Sequence, residues 1–246
     1  MSQTLDLRIA HLYAHFLNIY GDRGNIITLL QRARWRGISV RVDVIGMNAE
    51  FSPDEYDLYF VGGGQDKQQT VIAADMHRLS PVLHESINSG AVILSICGGY
   101  QLLGHYYKPH EGPELKGISL IDAHTVAGHR RMIGNVVIER PNRETLVGFE
   151  NHSGRTFLGA GVEALGKVTT GNGNNGDDGL EGCAQAVGKG KVYGTYLHGS
   201  LLPKNPKLAD ELIGLALSRR HGNVQLAPLD DSLEVAAHQS ATKFRA

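Results

Sequence analysis

The sequence predicts an α/β fold: a doubly wound, largely parallel sheet flanked by helices. Three observations carry that expectation. Apolar runs of strand length alternate with helix-period segments through the first half of the chain, the pattern of βαβ units. One of those runs, residues 91–96 (AVILSI), is apolar almost throughout, as suits a strand buried on both faces of a parallel sheet. Glycine is over-used, 31 of 246 residues against ~7% in ordinary proteins. Much of that excess ends apolar runs, where strand-to-helix turns are tight.

Taken in order, residues 7–13 read as a strand and 25–36 as a helix that Gly37 closes. Residues 39–45 are the next strand, and 58–61 a short one running into Gly62-Gly63-Gly64. Two helical segments follow, 67–79 and 80–89, the second opened by Ser80 as N-cap and Pro81 at the first helical position. After the strand 91–96 comes a helix over 98–107. The second half is richer in strands: 117–121, 133–139, 146–150 and 191–197. A helix capped by Asn205-Pro206 runs to about 220, and the tail beyond Asp231 reads as a short helix or a partly disordered end. The run GNGNNGDDG, residues 171–179, reads as a flexible insertion, either a plain surface loop or a partner-contact loop. No linker or repeat argues for a second domain, so one domain over 1–246 is expected.

A net charge of −1 gives no long-range field for nucleic acid or anionic membrane. The two cysteines, Cys97 and Cys183, fall in no metal-ligand spacing, and no metal site is expected. The N-terminus lacks a basic region followed by an apolar core, and no stretch approaches the length of a membrane span. The expected setting is cytoplasmic.

Cys97 is the sharpest chemical feature. It ends the strand AVILSI and is followed at once by Gly98-Gly99 and a helix, so it sits on a strand–nucleophile–helix elbow. Such a turn exposes the sulfur and brings backbone N–H groups beside it. Cys183 lacks that context and reads as a core thiol. The turn Gly62-Gly63-Gly64 would open on the same sheet edge as Cys97, as an oxyanion hole or substrate cradle. No GxxxxGK[ST] pattern occurs, so a nucleotide site is not expected on this chain. His198 stands at the tip of the strand KVYGTYL, within reach of a thiol on a neighbouring turn, as a Cys–His pair needs.

These residues carry a resemblance. The stretch ICGGYQ (96–101), the GGG turn and YLHG (196–199) resemble class I, triad-type glutamine amidotransferases, in the cobyric acid synthase-like branch. The stretches NIYGDRGN (18–25), FENHSGRT (149–156) and LHGSLLPKN (197–205) are similar to the stand-alone amidotransferase subunits of lipid II isoglutaminyl synthases. The resemblance implies Cys97 as nucleophile, His198 as general base and Gly64 and Gly98 as oxyanion donors. Gln101 would hydrogen-bond the bound glutamine. Arg131, or its neighbour Arg130, would hold the substrate carboxylate through the arginine fork. It further implies a glutaminase that passes ammonia to a Mur-ligase-like synthetase subunit (MurT-type) in a heterodimer. ATP and Mg would then be bound by that partner, with no cofactor on this chain, and the product would be amidated lipid II for peptidoglycan.

One departure stands out. Many class I enzymes place a glutamate two residues after the histidine, where this chain has Ser200. Glu150, Asp22 and Asp66 are then the candidates to orient His198, unless the site runs as a Cys–His dyad. Other readings are a cobyrinate-type synthetase as partner, a cysteine peptidase or chaperone-like relative, and a non-enzymatic binding subunit.

Overall fold

The structure, a computed structural model, describes residues 4–243. The expectations for the two chain ends extend three residues outside it on each side. In chain order the elements are β1 (Asp6–Leu12), α1 (Arg23–Trp35), β2 (Ser39–Ile45), β3 (Leu58–Val61), α2 (Asp66–Asn88), β4 (Val92–Ile96), α3 (Gly98–Leu103), β5 (Tyr106–Lys108) and β6 (Leu115–Lys116). Then follow β7 (Ala123–Glu139), β8 (Thr145–Leu158), β9 (Gly166–Thr170), β10 (Leu180–Glu181), β11 (Cys183–Val187), β12 (Gly190–Thr195), a 3-10 turn at Leu202–Lys204, α4 (Pro206–His221) and α5 (Ser232–Lys243).

The first sheet has the order β11-β12-β4-β3-β1-β2. All its pairings are parallel except the edge pair β11/β12. Every residue of β3 and β4 is buried, which is why both read as unbroken apolar runs. The doubly wound expectation is borne out. The carboxyl ends of β1, β3, β4 and β12 lie side by side at one edge, and the segments that leave them contain Asp22, Gly64, Cys97 and His198.

A second sheet, β10-β9-β7-β5-β6 with β8 paired to β7, is mostly antiparallel. Its frame is the hairpin β7/β8, far longer than the segments 133–139 and 146–150 that periodicity picks out. The remainder, rich in histidine, arginine and glycine, borders the functional cavity and has no apolar alternation to advertise it.

Four expectations are corrected. The helix expected over 98–107 ends at Leu103, and Tyr106–Lys108 is strand β5. The helix break at Ser80-Pro81 does not occur, and α2 runs through with Pro81 inside it. Ile72, Met76, Leu79, Leu83 and Ile87 form one buried stripe at helical spacing, while Pro81 falls on the exposed face. There water can serve the carbonyl that its missing N–H leaves free. Residues 117–121 are not a strand. Their N–H groups donate instead to carbonyls of residues 102–105 around the end of α3. The run 171–179 is packed rather than flexible: Asn174 and Asn175 are buried, and Asn174 exchanges hydrogen bonds with Gly182 and donates its N–H to the Leu180 carbonyl. Its glycines at 171, 173, 176 and 179 all take positive φ, conformations that other residues enter at a cost.

Cys183 is wholly buried, and burial pushes its thiol up to about 12. Among the described residues no helix is long and apolar enough to cross a membrane.

Candidate active site

Cys97 joins β4 to α3 with φ +48° and ψ −106°, a left-handed conformation that costs a non-glycine residue energy unless its surroundings fix it. Here they do. The Cys97 N–H donates to the Thr195 carbonyl at 2.8 Å, and the Cys97 carbonyl accepts from the Gln101 N–H at 3.0 Å. The glycines around it are steric necessities. A Cβ on Gly98 would lie 2.6 Å from Gln69 Nε2, and one on Gly99 would lie 2.8 Å from the Gly62 carbonyl oxygen. The turn after β3 therefore packs directly on the elbow. The Gly64 and Gly98 N–H groups donate to no group among the described residues, so both remain available to an oxyanion.

His198 leaves the end of β12 and is gripped by the second sheet. It donates its N–H to the Phe149 carbonyl at 2.7 Å and accepts the Phe149 N–H at 3.2 Å. Its ring is fully buried, with Nδ1 at 3.6 Å from Asp22 Oδ1. At that distance the contact is electrostatic rather than a hydrogen bond. Asp22 is itself buried, and its other oxygen accepts the Gly63 N–H at 2.6 Å. The Tyr20 ring meets His198 edge-on, centroids 5.0 Å apart. Burial acts to lower the His198 pKa, but negative charge on Cys97 and contact with Asp22 outweigh it and push the imidazole up to about 10. The two contacts thus favour the charged imidazole over the burial that opposes it.

Beside the elbow lies a cavity of about 320 Å³ whose lining includes Tyr20, Gly64, Cys97, Gln101, Arg131 and Asn151. Arg131 and Cys97 thus share one cavity. Arg130 instead borders a separate depression beside Glu150 and Asn172. Gln101 lines the cavity, but its amide is engaged within the wall, accepting from Gln69 at 2.9 Å and donating to the Tyr196 hydroxyl at 3.0 Å. Of the three carboxylates considered as orienters, Asp66 accepts the Tyr107 hydroxyl at 3.2 Å. Glu150 accepts from Asn172 and Gly173. Asp22 is the one against His198.

Sequence reasoning passed over Tyr20, Asn151 and His152, all in the cavity wall. They lie inside NIYGDRGN and FENHSGRT, motifs that signalled kinship without assigning these three a task.

The model of the CobB/CobQ-like glutamine amidotransferase domain matches residues 8–206. The chain belongs to that family. Its matched span includes Asp22, Gly64, Cys97, Arg131 and His198, and stops at the first residue of α4. Within the family's reach are relatives similar along almost the whole chain. The GatD subunit of lipid II isoglutaminyl synthase (glutamine-hydrolyzing) from Streptococcus pneumoniae is 40% identical over 245 residues, 98% of this chain and 93% of the relative. The corresponding Staphylococcus aureus subunit is 40% identical over 234 residues, 95% and 94% of the two chains. A cobyric acid synthase from Limosilactobacillus reuteri is 31% identical over 150 residues, 58% of this chain and 29% of the synthase.

Proposed function

We propose that this member of the amidotransferase family hydrolyses L-glutamine to glutamate and ammonia through a thioester on Cys97. In this reading the chain, as one domain over 1–246, hands the ammonia to a Mur-ligase-like synthetase subunit (MurT-type) for amidation of lipid II. The observation that carries the proposal is the shared cavity. A strained, buried cysteine beside a histidine held cationic shares one cavity with an arginine fork and the free N–H of Gly64, and the free N–H of Gly98 follows the cysteine in the chain.

The steps follow from that arrangement. With the Cys97 proton already resting on His198, the sulfur attacks the carboxamide carbon of glutamine as a thiolate, and the α-carboxylate of glutamine rests on Arg131. The oxyanion forms against the Gly64 and Gly98 N–H groups, each such donor contributing about 3 kcal/mol of barrier lowering. His198 returns its proton to the departing amine, and ammonia leaves. Water, losing its proton to His198, then attacks the thioester carbon. The thiolate is expelled, and glutamate results. Asp22 holds the imidazole in position and balances its charge. Gln101 acts through the wall by fixing Tyr196 and Gln69.

The lipid II assignment rests on the two relatives similar over nearly their whole length, while the cobyric acid synthase match spans less than a third of that enzyme. Activation of the acceptor, with ATP and Mg, belongs to the partner, and the setting is cytoplasmic. The test is glutamate release from glutamine by wild type and Cys97→Ala, each with and without the synthetase partner. Wild-type release that rises with partner, and falls to background in Cys97→Ala, is the expected result. Equal release by the two proteins would remove Cys97 from the mechanism.

A further inference from the structure

Arg131 does not sit in the regular ladder of β7. The pairing with β8 shifts register between Ala127 and Met132, and such irregularities re-aim the side chains within them. An exposed arginine on a bulge needs something to hold it. Asn151 of β8 supplies that hold, its Oδ1 accepting Arg131 Nε at 2.6 Å. The other end of the same amide donates from Nδ2 to the Tyr20 hydroxyl at 2.7 Å. Tyr20 belongs to the loop after β1, with φ +53°. Its ring stands edge-on to His198 while the residue as a whole is 43% exposed, so it separates the buried imidazole from solvent. Three segments distant in sequence are thus strung together across the cavity mouth. A primary amide suits the central link, since it presents an acceptor to a cation and a donor to a phenol oxygen at one tip. A carboxylate has no donor, and an aliphatic side chain has neither.

We propose that Asn151 is a positioning residue that ties Arg131 to Tyr20, so that the carboxylate anchor and the cover over His198 are held as one unit. The proposal rests on the glutaminase reading above, which gives Arg131 its substrate. Nε donates to the Asn151 amide and Nη2 to the Asn151 carbonyl at 3.5 Å, so one residue holds the guanidinium at the cavity wall where a carboxylate would meet it. Release of Asn151 lets the guanidinium swing off its bulge.

The test compares two electrophiles that alkylate Cys97, followed by intact mass. One is the diazoketone analogue of L-glutamine, which carries the α-carboxylate. The other is iodoacetamide, which does not. Asn151→Ala slows the glutamine analogue about tenfold, the scale of one charge-assisted hydrogen bond, and Tyr20→Phe slows it about threefold. The double variant matches Asn151→Ala alone, because linked residues are not additive, while iodoacetamide stays within about twofold of wild type throughout. Analogue rates unchanged in both single variants overturn the proposal, as do equal losses with both reagents or losses that multiply in the double variant. Wild type that takes up iodoacetamide but not the analogue brings down the glutaminase reading, and the proposal with it.

Discussion

His198 and Asp22 meet because two loops from opposite ends of the chain converge at one sheet edge, and the contact is purely electrostatic. Asp22→Asn keeps the volume and removes the charge. The His198 pKa is raised in the folded chain, so its cationic form prevails below about 10 and is lost as pH rises through that value. Without the Asp22 charge that loss moves to lower pH. The expected outcome is an alkaline limb of the pH–rate profile shifted downward, with turnover reduced roughly 10²-fold, the low end of what placed acid–base groups contribute. An unmoved limb would assign the orientation of His198 elsewhere. Cys97, Gly64, Gly98 and His198 were legible in the sequence because each sits where an apolar run stops. Asp22 was one of three carboxylates on equal footing, since only long-range packing separates them.

Helix α2 shows where local signals fall short. Ser80-Pro81 is a strong start signal, yet the apolar stripe continues through it at helical spacing, and burial of that stripe outweighs the local preference. Pro81 remains a cost, about 3 kcal/mol for an interior proline, offset by about 1 kcal/mol from restricting the unfolded chain. Pro81→Ala is therefore expected to stabilise by about 2 kcal/mol, raising the thermal midpoint roughly 4–8 °C for a domain of this size. Calorimetry on the variant checks it, and a lower midpoint would mean that the proline's restriction of the unfolded chain outweighs its cost in the helix. The parallel strands were legible because burial on both faces leaves continuous apolar runs. The hairpin β7/β8 was legible only in part, since its outer stretch answers to the cavity rather than to a core.

At the scale of the molecule, the two sheets are joined through Glu181. It lies on β10 of the second sheet, and its Oε1 accepts the Thr195 hydroxyl at 2.6 Å and the Tyr196 N–H at 2.7 Å at the end of β12. Burial pushes its pKa up to about 7, against the downward pull of those donors. The folded value exceeds the unfolded one near 4.5, so the native state holds a proton that the unfolded chain has released. Stability from this group is full below the unfolded value and declines as pH rises through about 7, on the order of 3 kcal/mol across the window. Glu181→Gln removes the dependence. Urea midpoints at pH 5 and pH 7.5 should therefore differ more for wild type than for the variant. Equal differences would show that Glu181 is ionised at both values.

The placement of the second cysteine has a redox consequence. Cys183 pairs with Gly194, and Gly194 with Ser95, which sets it two interstrand spacings, about 10 Å, from the strand that ends in Cys97. That exceeds the reach of a disulfide. A peroxide that finds the cavity oxidises Cys97 to a sulfenic acid for which this chain holds no resolving thiol. Its rescue depends on a thiol brought from outside, through the same mouth that admits the substrate.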